Sequence, residues 1–206
     1  AVEPCPAMRK ALSQNLMEAG LDNVRILPER VEGGLADVSG PFDLALASHS
    51  LYNVLPIDAV LQGLIGLARY TVILMGVGDQ ADWYGRLHRR FRGVDRVPSP
   101  HLGQFYPVLI EMGVLADVEI VSASANYVYD SEEDLVDWWA FHLQVNGDQR
   151  DSLRTALLQL AERRGSTIGV YGRRRMALVT IERGRQVFSC EEGLEGRSLA
   201  YAEMGP

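Results

Sequence analysis

Apolar and polar positions alternate so as to divide most of the chain into helix-like and strand-like segments. Over residues 6–18, Ala7, Met8, Ala11, Leu12, Leu16 and Met17 fall on one helical face, and Gly20 stops the segment. Val24-Arg25-Ile26-Leu27 reads as a short strand. After the turn Ser39-Gly40-Pro41, residues 42–47 (Phe-Asp-Leu-Ala-Leu-Ala) read as a buried strand. Residues 57–68 predict a helix that offers Val60, Leu61, Leu64, Ile65 and Leu67 to a core. Residues 70–76 (Tyr-Thr-Val-Ile-Leu-Met-Gly) are the clearest central strand. Helices over 83–91 and 106–112 follow, the second closed by Gly113, and then a strand over 117–122.

The pattern changes near residue 131. Ser131 reads as an N-cap with Glu132, Glu133 and Asp134 in the first turn. It opens an amphipathic helix carrying Leu135, Val136, Trp138, Trp139, Phe141 and Leu143. A further helix over 148–164 places Leu153, Ala156, Leu157, Leu160 and Ala161 on one side. Residues 167–171 and 175–181 read as a strand pair around Gly172, and the Gly- and Glu-rich residues 183–206 as a tail. Alternating strands and helices predict an α/β fold with a largely parallel sheet and right-handed crossovers. In such sheets, ligands bind at the carboxyl ends of the strands.

Composition narrows the partners. The 206 residues suffice for one α/β domain with additions. The net charge of -7 makes nucleic acid a poor partner, because phosphate is repelled. Two basic clusters run against that balance: Arg86, Arg89, Arg90, Arg92 and Arg96, with His88, and Arg173-Arg174-Arg175. They read either as solvated charge or as an anion-binding rim. The cysteines, Cys5 and Cys190, lack metal-like spacing and suggest a reducing compartment. No apolar run reaches bilayer length and the start does not read as a signal peptide, so the expectation is a cytoplasmic protein with no membrane partner.

Three stations carry candidate chemistry. Val2-Glu3-Pro4 puts a carboxylate at a strand end before a helix, where it serves either the hydroxyls of a ribose or the helix dipole. Leu27-Pro28-Glu29-Arg30 follows the next strand; Glu29 can accept from an adenine amino group and the Arg30 N–H can serve a ring nitrogen, or Glu29 is an exposed loop charge. The strand over 42–47 delivers Ser48, His49 and Ser50 to the active edge, with Tyr52 just beyond. His49 is either a general base or a hydrogen-bonded rim residue.

The order and spacing of these stations resemble the class I S-adenosylmethionine-dependent methyltransferases, loosely and at superfamily level, over about residues 1–182. The resemblance implies a Rossmann-like, mostly parallel sheet with helices on both faces, an antiparallel last strand near residues 176–182 and a helical insertion at about 131–165. It implies a domain spanning 1–182 with 183–206 as a tail. It implies S-adenosyl-L-methionine as cofactor, held by Glu3, Pro4, Met8, Glu29, Arg30, Ser48 and His49. Tyr52, Trp83 and Tyr84 would line a pocket for a small-molecule acceptor, and His49 is the one base to name. No metal is implied, and an oligomer is compatible. For Trp138 and Trp139, core packing is the stronger reading.

One feature of that family has no counterpart before Glu3: the Gly-rich loop after the first strand. Gly76-Val77-Gly78 follows the wrong strand and reads as a loop that needs small residues. The first strand is central in the family, so its loss would expose unpaired backbone. The expectation is that the sequence is part of a longer polypeptide, or that another segment or subunit fills the gap, with weak or no cofactor binding otherwise. Two further readings stay open: a degenerate, non-catalytic module of the same fold, and a nicotinamide-dependent oxidoreductase, which the 48–52 loop and an antiparallel last strand fit less well.

Overall fold

A computed structural model describes residues 1–35, 38–78 and 82–185. The predicted tail at 183–206 therefore lies almost wholly outside the described residues. In chain order the elements are α1 (Pro6–Glu18), α2 (Val31–Gly34), β1 (Phe42–Ser48), α3 (Ile57–Leu67), β2 (Ala68–Gly76), α4 (Asp82–Arg92), α5 (Leu102–Glu111) and β3 (Asp117–Ser124). There follow β4 (Tyr127–Tyr129), α6 (Glu132–Leu143), α7 (Gln149–Leu158), β5 (Glu162–Arg164), β6 (Thr167–Val170) and β7 (Arg173–Glu182).

The main sheet has the order β1-β2-β7-β3. β1 and β2 pair in parallel, and β7 is antiparallel to both β2 and β3. Three of its four described strands thus point one way, and β7, the last described strand, opposes them. Its core follows from the apolar runs: Leu61 of α3 and Leu109 of α5, both fully buried, pack with Ile73 and Met75 of β2 and Ala177, Val179 and Ile181 of β7. Helix α5 begins four residues earlier than its apolar spacing predicts. His101 caps it, accepting from the Gly103 N–H at 3.1 Å while Gln104 Oε1 accepts from the His101 N–H. Histidine is outside the usual set of N-cap residues, so the start was not legible.

A second core lies around α6 and α7, where Leu135, Trp139, Leu143, Leu153, Leu157 and Ile168 are buried. Ser131 caps α6 as its sequence predicts, its Oγ accepting from the Asp134 N–H at 3.1 Å. The acidic first turn is tied to α7 by Arg154, which reaches Glu132 at 2.7 Å and Glu133 at 2.5 Å, and by Arg150, which reaches Glu133 at 2.6 Å.

Two expectations fail in this region. The helix predicted over 148–164 ends at Leu158, and Glu162–Arg164 instead forms β5, turned back into β6 through Gly165 at φ +62°. The strand pair predicted around Gly172 does not form: β6 pairs with β4 and β5, and β7 with β2 and β3. Gly169 makes room for β4 beside β6. A Cβ there would lie 2.5 Å from the Tyr127 carbonyl oxygen, so only glycine lets β4 approach this closely.

The amino-terminal strand pair is smaller than the apolar run at 24–27 predicts. It consists of one parallel bridge, Val2 to Leu27, with the Glu3 N–H donating to Leu27 O at 3.0 Å and the Leu27 N–H to Ala1 O at 2.8 Å. Among the described residues this pair makes no ladder with β1, whose one strand partner is β2. No helix among the described residues is long and apolar enough to cross a membrane.

Candidate functional site

β1 ends at Ser48, and the chain turns sharply at His49, which holds φ +51°. A non-glycine residue in the left-handed region is strained and marks a position the surroundings enforce. The His49 N–H is fixed on Leu74 O at 2.9 Å, so the turn is anchored to β2. The ring then meets Tyr52: Nδ1 lies 2.5 Å from Tyr52 Oη, and Oη also accepts from the Gly76 N–H at 3.2 Å. With that donor on Oη, the hydroxyl proton is available to Nδ1 when that nitrogen carries no hydrogen. The other ring nitrogen, Nε2, faces Met176 Sδ at 3.2 Å.

Two cavities open at this edge. The larger, about 850 Å³, runs between the amino-terminal pair and β1, lined by Glu3, Pro4, Met8 and Arg30 on one side and Ser48, His49 and Tyr52 on the other. The smaller, about 460 Å³, lies over the ends of β2 and β7. Gly76, Tyr84, Arg96, His101, Tyr127 and Arg174 contribute to its wall. His49 and Tyr52 line both.

Of the residues singled out from the sequence, Glu3, Pro4, Met8, Arg30, Ser48 and His49 thus gather at the larger cavity. Glu3 Oε1 accepts from the Cys5 N–H at 2.8 Å, just ahead of α1, so the carboxylate is held at the strand tip. Arg30 is paired with Glu32 at 2.7 Å; the pairing raises the Arg30 pKa and lowers that of Glu32. Glu29 is exposed and does not line the cavity. Tyr84 lines the smaller cavity, whereas Trp83 does not and instead packs edge-on to Trp139, with ring centroids 5.0 Å apart. Tyr84 also packs edge-on to Trp139, with ring centroids 5.1 Å apart, so it lies between the pocket and the second core. Trp139 is buried in that core.

Sequence reasoning missed His101, Tyr127 and Met176, which reach the smaller cavity from a helix cap, a three-residue strand and the start of β7. It placed Arg174 in a basic cluster without a partner; the guanidinium donates to Tyr127 Oη at 2.6 Å.

No protein-family model matches the chain, and no curated relative matches it. Solved structures do match. A protein of Bacillus halodurans provisionally assigned as a methyltransferase superposes with a TM-score of 0.54 at 8% identity, covering 89% of this chain and 81% of its own. The chain shares the α/β fold of that protein. Coclaurine N-methyltransferase bound to N-methylheliamine and SAH matches with a TM-score of 0.42 at 10% identity, over 88% of this chain and 60% of that one. A precorrin 8w decarboxylase of Methanobacterium thermoautotrophicum matches with 0.43 at 14%, over 88% and 67%. At these identities the likeness concerns the fold, and a fold of this class hosts many reactions.

Proposed function

We propose that the protein transfers a methyl group from S-adenosylmethionine to a small molecule. The observation that carries this reading is the shared wall: His49 and Tyr52 border both cavities, so a donor in one and an acceptor in the other would meet there. Methyl transfer needs such a meeting more than it needs reactive side chains. The sulfonium supplies an already activated methyl group, and in-line positioning contributes most of the rate.

In this reading the larger cavity takes the donor. Glu3 stands at the strand tip with Oε1 on the Cys5 N–H, leaving Oε2 for a ribose hydroxyl. Met8 and Pro4 give apolar surface beside it, and Ser48 and His49 form the opposite wall. The smaller cavity takes the acceptor, and its size is ordinary for a small-molecule site. Tyr84 and Tyr127 offer flat apolar faces, and Arg174 offers guanidinium N–H donors beside them.

Where the acceptor must lose a proton, the route runs through Tyr52. Its hydroxyl accepts from the acceptor as it releases its own proton to His49 Nδ1, 2.5 Å away. In this reading His49 acts through Tyr52 and not directly on the acceptor.

Titration calorimetry of the full chain with S-adenosylmethionine tests the reading. Binding that weakens about 10- to 100-fold in Glu3→Ala is expected, since a hydrogen bond to a charged group contributes about 1.5–3 kcal/mol. Unchanged affinity in Glu3→Ala would refute the ribose assignment. A folded chain that binds no donor would favour the non-catalytic module.

A further inference from the structure

The two basic clusters of the sequence divide in the fold, and part of each reaches the smaller cavity. From the first cluster, Arg89 is paired with Asp95 at 2.5 Å, Arg92 donates to Gln144 Oε1, and Arg90 lies 5.2 Å over the neighbouring Phe91 ring. Arg96 instead lines the cavity, where its guanidinium lies 5.0 Å over the Tyr84 ring. From the second cluster, Arg174 and Arg175 line the same cavity. The Arg174 guanidinium lies 5.7 Å from the Tyr127 ring centroid and donates to Tyr127 Oη at 2.6 Å.

Three arginines thus border one cavity of about 460 Å³, and among its described lining residues none is Asp or Glu. The larger cavity differs: Glu3 and Glu32 line it, and its Arg30 is paired with Glu32. A cleft lined by one sign of charge concentrates the opposite ion, here in a chain whose net charge is -7. Two of the three guanidiniums are also supported from behind. Tyr84 and Tyr127 both pack on Trp139, with ring centroids 5.1 Å and 5.7 Å away, and Trp139 is buried in the second core. Each tyrosine therefore offers its guanidinium a fixed aromatic surface. Stacking restrains the guanidinium and keeps its planar fork of N–H donors for a carboxylate or phosphate. A guanidinium has five such donors, and the Arg174 bond to Tyr127 takes one.

We propose that the acceptor is a small organic anion, its carboxylate or phosphate group held by Arg174 and Arg96 and its apolar body laid against Tyr84 and Tyr127. That the anion is the methyl acceptor rests on the proposed methyl transfer; that it binds here rests on the cavity alone.

Titration of the full chain with small probes, in the absence of donor, tests the site. Benzoate and phenyl phosphate carry the anionic group, and benzamide has the shape of benzoate without its charge. Tryptophan fluorescence follows binding, because Trp139 touches both tyrosine rings. At least one anion is expected to bind about tenfold or more tighter than benzamide, as hydrogen bonds between charged groups imply. The stronger of the two identifies the group as carboxylate or phosphate. Arg174→Gln and Arg96→Gln should each remove most of that preference. Arg164→Gln, which alters a guanidinium stacked on Tyr171 away from the cavity, should keep it. None of these arginines is buried, and the urea midpoint reports whether each variant is folded. Where a variant fails to fold, the comparison of probes in the wild type decides. Equal affinity for anions and amide, no binding of either anion, or a preference that survives both cavity variants would overturn the proposal. So would an equal loss in Arg164→Gln. A separate titration with S-adenosylmethionine keeps the two readings apart. Donor binding without anion binding refutes the anion site and leaves methyl transfer standing; anion binding without donor binding does the reverse.

Discussion

Removing one oxygen, in Tyr52→Phe, tests the construction of the active edge. Tyr52 Oη joins two elements: it shares a hydrogen bond with His49 Nδ1 at 2.5 Å and accepts from the Gly76 N–H, at the end of β2, at 3.2 Å. Phenylalanine keeps the ring and deletes both bonds. The His49 bond is exposed and contributes about 0.5 kcal/mol. The Gly76 amide is part-buried, and leaving it unpaired costs about 1 kcal/mol. The expected loss is about 1–2 kcal/mol, a fall in Tm of about 2–8 °C for a chain of this size. Urea unfolding followed by circular dichroism measures it, with an unchanged slope against denaturant. The same change made in a His49→Asn background should cost less, because asparagine tolerates the left-handed turn at φ +51° but lacks the imidazole. Equal costs in the two backgrounds, or no loss in either, would refute the anchoring of His49 through Tyr52.

Other expectations follow from the same geometry. Leu157→Ala, at a fully buried position of the second core, should cost about 2–5 kcal/mol in urea unfolding; a loss under about 1 kcal/mol would mean that α7 is not packed as described. Glu133 has its pKa lowered, chiefly by hydrogen bonds from Arg154 and then Arg150. A depressed carboxylate contributes stability above its unfolded pKa and loses it as pH falls through the folded value. The wild type should therefore lose stability below about pH 4.5 more steeply than Glu133→Gln, and parallel acid titrations would contradict the pairing. The Glu3→Ala change should weaken donor binding while leaving the urea midpoint nearly unchanged, because it removes one local side-chain bond, from the Cys5 N–H to the Glu3 carboxylate, and keeps the backbone bonds of Glu3.

How much of this was legible in the sequence depends on how local the signal was. The strands predicted over 42–47 and 70–76 are legible because both are mostly apolar, and α1 because Pro6 opens it and Gly20 follows it. The Ser131 cap with its acidic turn was equally local. What failed was tertiary. Tyr127–Tyr129 is too short to carry a period, and it becomes a strand because Gly169 leaves room for its backbone. Trp83 and Tyr84 both pack on Trp139 of α6, and only the position of the smaller cavity beside Tyr84 tells them apart. The stations at Glu3 and His49 could be named, since each ends a strand-like run. Their common cavity, and the position of Tyr52 between His49 and Gly76, required the fold.

A crystal structure of the full chain with S-adenosylhomocysteine tests the central claim most directly. The account predicts the ribose on Glu3 and the sulfur directed to the wall formed by His49 and Tyr52, with the smaller cavity open beyond it. A nucleoside seated elsewhere, with Glu3 still turned onto the Cys5 N–H and facing only solvent, would contradict it.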